Sequence, residues 1–393
     1  MSTEHQSNPH GDAARGPDYT EILADDIEAV APTLGEHHPK HEAPPGVDAP
    51  VSLSTIAKAM IFPVFFVVMF ALCYISAFHN PTPHDMHLSI VGPQQQASAV
   101  AAGIEQGSPG SFDITATSDL GGALDGLASR DIQGVIELGS PMTVHIASGA
   151  SATVAQVVQG VASPLAESMG TTVQTDDIAP LTDGDATGMG LFYFMIVCSI
   201  AGYLTVTVLA QLAPRMKMRR MLGILGVMSV ALTLIAFGVA SIFTGTFGAT
   251  AAGLTVMLLV GVLYTFTIGL VAVVLNKILG QAAIMAVMTI AIFMNFPSAG
   301  GAIAPSMLPA AWEAVHSFWI GSGAVQAMQS VIYFGGNGLG QGLLILFGWL
   351  AVSAAALALV VWRARAKGSD AAGGTGAVVS GAHAPEREPV AVH

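Results

Sequence analysis

The sequence predicts a polytopic α-helical membrane protein: six transmembrane helices, with an extracytoplasmic α/β (α+β) domain inserted between the first and second. Three observations carry that expectation. Of 393 residues, 52% are apolar and only 10% are charged, against roughly 25% charged in a soluble domain. Several apolar runs reach about 20 residues, the length that crosses a bilayer core. Between the first two runs, the 110 residues 79–188 switch to a mixed pattern rich in acids. Too little charge is present to cover a soluble surface, which excludes a soluble enzyme, a nucleic-acid reader and a fibrous repeat.

Residues 1–54 hold ten acids and two bases. With their His and Pro content they read as a disordered acidic cytoplasmic leader. Tyr19, Ile22, Leu23, Ile27 and Val30 recur at helical spacing, as a nascent helix or as a docking helix for a partner. No cleavable signal peptide is visible, so the first run, within 55–78, reads as an uncleaved signal anchor.

The expected spans are 57–78, 189–213, 222–243, 251–275, 282–296 and 343–362. Nine of the thirteen basic residues flank them: Lys58, Arg215, Lys217, Arg219, Arg220, Lys277, Arg363, Arg365 and Lys367. When the spans alternate, all nine fall on one face, which the positive-inside rule makes cytoplasmic. Both termini are then inside and 79–188 outside. The protein is expected in a bacterial cell membrane, its Ala- and Gly-rich, Lys-poor composition hinting at a GC-rich genome.

The 79–188 segment alternates strand candidates (88–92, 111–115, 132–138, 142–147, 172–175) with helix candidates (94–106, 119–129, 150–169), as a compact α/β or α+β domain does. Within the five-helix membrane domain 189–362, the fifth span is only 15 residues long and barely fills a ~30 Å core. Pro297, Gly300, Gly301, Pro305 and Pro309 follow it. Two short apolar segments, 310–320 and 323–334, separated by Gly321-Ser322-Gly323, then read as outer half-helices within 305–334. Such backbone survives at membrane depth only where protein or water satisfies it. The tail 363–393 reads as disordered and cytoplasmic.

No phosphate-binding loop of the G-x-x-x-x-G-K-[ST] type is present. The run Gly335-Gly336-Asn337-Gly338-Leu339-Gly340 follows no strand and reads as a hinge before the last span. The spans carry a single charged residue, Lys58 at the edge of the first, so proton-driven antiport is not expected. Their polar residues are hydroxyls and amides such as Tyr203, Thr205, Thr207, Tyr264, Thr265, Thr267 and Asn295. No cofactor, catalytic set or nucleic-acid partner is expected.

Glu313 and His316 lie three apart on one helix face, flanked by Trp312 and Trp319 as at a membrane interface. This is either an interfacial anchor or, with Pro297, Gly300, Gly301 and Pro309, an outer gate. His84 and His87 beside Asp85 are the candidate metal ligands. They are too few for a structural zinc site, which needs three or four, and a rigid linker is the competing reading. The cluster Arg215, Lys217, Arg219, Arg220 serves topology alone, or contacts anionic lipid or an ATPase.

Three stretches carry a family likeness: Asn80-Pro81 with Leu88–Gly92; Pro297–Gly301 through Met307–Pro309 and Trp312 to Tyr333–Gly336; and, more weakly, Ser129–Ile136. With the order of span, outer domain and five further spans, the chain over about 55–365 resembles permease subunits of type-2 ABC exporters, and most closely the YhgE/Pip (phage infection protein) group. The resemblance implies a homodimeric exporter permease energised by a separate cytoplasmic ATPase; the apolar, charge-poor spans suit a hydrophobic or amphiphilic substrate, moved outward. The alternative it leaves is an ATPase-independent surface receptor or secretion-associated scaffold.

Overall fold

The computed structural model describes residues 52–374. The expected helix at 19–30 and most of the acidic leader and of the tail lie outside the described residues. The chain divides after Lys58. Before that point only the first turn and a half of α1 is described; everything below concerns Ala59 onward.

Five helices are long and apolar enough to cross a membrane: α1 (Leu53–Phe78), α5 (Gly190–Leu212), α6 (Met218–Thr244), α7 (Ala251–Leu279) and α11 (Leu339–Gly374, its span running to Ala366). By length and composition this is a polytopic helical membrane protein. Each helix starts or ends within a few residues of the expected span except α11. That helix continues through Arg363 and Arg365 to Gly374, where a disordered tail was expected. Ala and Arg favour a helix, and α11 runs on through Gly368 to the glycine pair at its end.

The fifth expected span, 282–296, corresponds to α8, Ala283–Ser298, a shorter helix than the other five. It contains a π-turn at Thr289–Phe293 and ends at Pro297-Ser298. Irregular backbone then runs through a 3₁₀ turn at Pro305–Met307 to α9 (Ala310–His316) and α10 (Ile320–Tyr333). The expected break at Gly321-Ser322-Gly323 is displaced. The chain bends at Ser317–Trp319, and the glycines lie inside α10. Their role is close packing: a Cβ on Gly321 would strike the Asn295 side chain, and one on Gly323 would meet the Gly342 carbonyl of α11 at 2.9 Å. Small residues let helix backbones approach in this way.

Between α1 and α5 lies a five-stranded sheet: β1 (Met86–Val91), β2 (Phe112–Thr117), β3 (Gly134–Glu137), β4 (Met142–Ile146) and β5 (Val173–Asp177), in the order β2-β1-β3-β4-β5. Only the β3–β4 pair is antiparallel. The parallel pairs are bridged by α2 (Gln94–Gly107), α3 (Leu120–Ser129) and α4 (Ala152–Ser168), as parallel strands require. Alternation decides the faces. Met86, Leu88, Ile90, Met142 and Val144 pack under α2 and α4, with Ala97, Ala101, Val154, Val158 and Ala162. Val91, Val135 and Ala147 point the other way, onto Ala123 and Leu127 of α3 and onto Tyr333 and Phe334 at the end of α10. The Asp119 and Ser151 side chains cap α3 and α4 by accepting from Gly122 N (3.0 Å) and Val154 N (3.3 Å), each worth about 1 kcal/mol.

Candidate functional site

A cavity of about 490 Å³ opens where the sheet meets the bundle. One wall is the α3–β3 connection, Ser129–Gln133; a second is the β4–α4 turn with Ala150, Ser151 and Val154. The rest comes from Ala299–Gly300, Ala304–Ser306, α9 and α10. The chain reaches this shape because α3 ends at Arg130, whose left-handed φ of 68° turns the backbone under the helix.

Arg130 points across to α10. Its guanidinium donates to Ser330 Oγ (2.6 Å) and to the Gln326 and Asn337 carbonyls (both 3.4 Å), and lies 5.1 Å from the Phe334 ring centre. Burial lowers its pKa, but a guanidinium remains charged. The carbonyls at the end of α10 supply the compensating negative pole. Asn337 Nδ2 donates back to Ala128 O at 3.1 Å, so the contact runs in both directions.

Of the expected gate residues, Gly300, Glu313 and His316 line the cavity. Gly300 has φ 77°, and a Cβ there would sit 2.7 Å from the His316 ring. His316 Nδ1 donates to Ser298 O (2.8 Å), which makes Nε2 the acceptor for Gln326 Nε2 (3.0 Å). Burial holds its pKa below the ordinary histidine value, although the Ser298 carbonyl and the Glu313 charge pull it up. The ring is therefore a neutral hydrogen-bonding strut. Glu313 faces outward to His84 Nε2 at 3.2 Å.

The other gate residues serve the frame. Pro297 is buried at the end of α8, Gly301 packs against Phe192, and Pro309 precedes the first turn of α9. Trp312 Nε1 donates to Ser76 Oγ of α1 at 3.0 Å. Trp319 departs from the interfacial role expected of it: it is buried, 5.3 Å from the Trp349 ring. The candidate metal pair is also split, His84 going to Glu313 and His87 to Asp113 (3.3 Å). Arg215, Lys217, Arg219 and Arg220 are exposed around the α5–α6 turn and do not line the cavity.

A second polar group sits inside the bundle. Asn295 Nδ2 donates to Tyr264 Oη (2.6 Å) and Ser199 Oγ (3.1 Å), and Tyr264 and Ser199 bond to each other. Thr233 and Thr265 pair beside them at 3.2 Å. This network joins α5, α7 and α8 directly after the π-turn.

Sequence reasoning missed Arg130 as a cavity residue, along with Ser306, Gln326 and Gln329. Arg130 did carry a signal, as the only base among residues 79–188. Compared with known proteins, the chain matches no family model, no curated protein and no solved structure.

Proposed function

We propose that this protein is the permease subunit of an exporter that moves a hydrophobic or amphiphilic substrate outward, as a homodimer energised by a separate ATPase. One observation carries the reading. The segment 283–334 is a discontinuous membrane element, with a π-turn, irregular backbone and two short helices, and it lines a cavity shared with the sheet domain. Broken backbone of this kind is tolerated where it borders protein or a water-filled path. A mere anchor has no use for it.

On this reading α8 is the fifth of six spans, both termini are cytoplasmic and the sheet domain is extracytoplasmic. The Arg215–Arg220 turn faces the cytoplasm, where it docks the ATPase or anionic lipid. The turn itself is short, Ala213–Lys217 between α5 and α6, so the docking surface includes the first turn of α6.

The test is affinity purification of the full chain from its own cells, followed by mass spectrometry. A stoichiometric nucleotide-binding subunit is expected, lost on Arg219→Glu/Arg220→Glu. Partners on the sheet domain with no ATPase would overturn the reading in favour of a receptor or scaffold. The open apolar groove between α2 and α4, lined by Val100, Ile104, Val161 and Leu165, is the observation that favours that rival.

A further inference from the structure

We infer that the cavity between the sheet and α8–α10 binds a neutral, hydroxyl-rich group, the sugar or polyol headgroup of an amphiphile. The inference deepens the permease reading and rests on it for the ligand's arrival from the membrane.

The first argument is an orphan. Ser306 is 6% exposed and lines the cavity, and its Oγ has no hydrogen-bond partner in the protein. Its backbone carbonyl is already engaged by His84 N at 3.0 Å. A buried hydroxyl left unpaired is costly; its Oγ lies just beneath the cavity wall, and a rotamer turn of its side chain toward the cavity brings it a partner there.

The second argument is the set of half-used amides. Gln329 Nε2 donates to Ala150 O (3.1 Å) and Gln326 Nε2 to His316 (3.0 Å). Gln133 Oε1 accepts from His87 N (2.7 Å). Among the described residues this leaves the Oε1 atoms of Gln326 and Gln329 and the amide N–H groups of Gln133 without partners. Acceptors and donors therefore both border one space. A hydroxyl, which both donates and accepts, satisfies such a lining; a phosphate or an ammonium satisfies one half of it.

Charge gives the third argument. Asp85, Asp131 and Glu313 line the cavity against a single guanidinium, and Arg130 is committed to α10. An anionic headgroup meets carboxylates, while for a cationic one Glu313 is already held by His84 and Asp131 by Ser129 Oγ. The volume of about 490 Å³ falls in the usual range for small-molecule sites, about 300–1,000 Å³. Leu127, Val154 and Val325 offer apolar surface to the ring face of a sugar.

The test uses the full chain in phosphatidylcholine nanodiscs and native mass spectrometry, without any ATPase. The probes are glucosyl-diacylglycerol, phosphatidylglycerol of the same acyl chains, and free maltose. One glucosyl lipid per chain is expected. Ser306→Ala, which breaks no bond within the protein, should weaken it about 3–10-fold with an unchanged melting temperature. Ser306→Leu, which fills the space, should abolish it. Maltose binding as tightly as the lipid would support the chemistry and move its source from the membrane to the aqueous side. Preference for phosphatidylglycerol, no bound glucosyl lipid, or a Ser306→Ala protein that binds as wild type would overturn the inference. Absence of an ATPase partner would sink the permease reading while leaving this binding result intact, so the two failures are distinguishable.

Discussion

Helices α1 and α7 are built from equally apolar residues, yet 67% of the α7 window is buried against 11% of the α1 window. Apolarity sends both into a membrane and does not distinguish a lipid-facing helix from a central one. Glycines and hydroxyls make that distinction. Along α7, Gly261 and Gly269 lie under the Thr233 and Leu225 side chains of α6, and Tyr264 and Thr265 bond to neighbouring helices. Along α1 the exposed positions include Val64, Val67, Val68 and Leu72, which any lipid chain can cover.

The largest expected effect tests that contrast directly. On α5, a Cβ at Gly202 would meet the Thr265 carbonyl of α7 at 2.5 Å, which is backbone and cannot yield. Gly202→Val should cost about 3 kcal/mol or more, read as loss of a monodisperse, cooperatively melting protein in detergent. Gly226→Ala on α6 and Gly348→Ala on α11 meet nothing within 4 Å. They should hold or raise the melting temperature, by up to about 1 kcal/mol. Equal damage from both classes would break the comparison.

Next comes the polar network. Asn295→Leu removes the donor that holds Tyr264 and Ser199, and should cost about 1–2 kcal/mol. The same exchange at Thr255 of α7, an exposed hydroxyl bonded only to its own helix at Ala251 O, should stay within about 0.5 kcal/mol. Thermal unfolding of the pair gives the answer.

A smaller effect is expected at the junction of sheet and bundle. Arg130→Gln should loosen the contact with α10 by about 1 kcal/mol. Amide exchange should rise at 326–338 and not in β1 or β4; a uniform rise would mean that Arg130 supports the whole domain.

Smallest is a pH dependence from His316. Its pKa is lowered in the folded protein, so the unfolded chain binds more protons between the folded value and 6.5. Its stabilising contribution is full above 6.5 and is lost as pH falls toward the folded value. His316→Gln should flatten the stability curve over that window, and an unchanged curve would assign the acid sensitivity elsewhere.

The same contrast explains what was legible in the sequence. All five strands overlap the segments expected from alternation, because each side chain in β1 or β4 has one of two fates, and the Asp119 and Ser151 caps mark where helices begin. Most span ends were readable because hydropathy responds to length; the far end of α11 was not. Within 305–334 the two short helices were readable, but the break between them was not, because glycine has two uses. Gly300 does turn the chain, whereas Gly321 and Gly323 admit neighbouring backbone and leave the helix intact. Among site residues, Glu313 and His316 were visible as a local pair. Arg130 meets Ser330 only across 200 residues of sequence, and no local pattern announces such a meeting.

The bond between Ser76 of α1 and Trp312 spans 236 positions. At about 5–20 residues per second a ribosome needs roughly 12–50 s to make that interval. For that time the first helix stands in the bilayer before its partner on α9 exists. Its largely apolar surface is what a helix needs in order to wait alone, and the late arrival of Trp312 and of Phe293, whose ring meets Phe66 edge-on at 5.3 Å, makes docking of this span a late event of biogenesis.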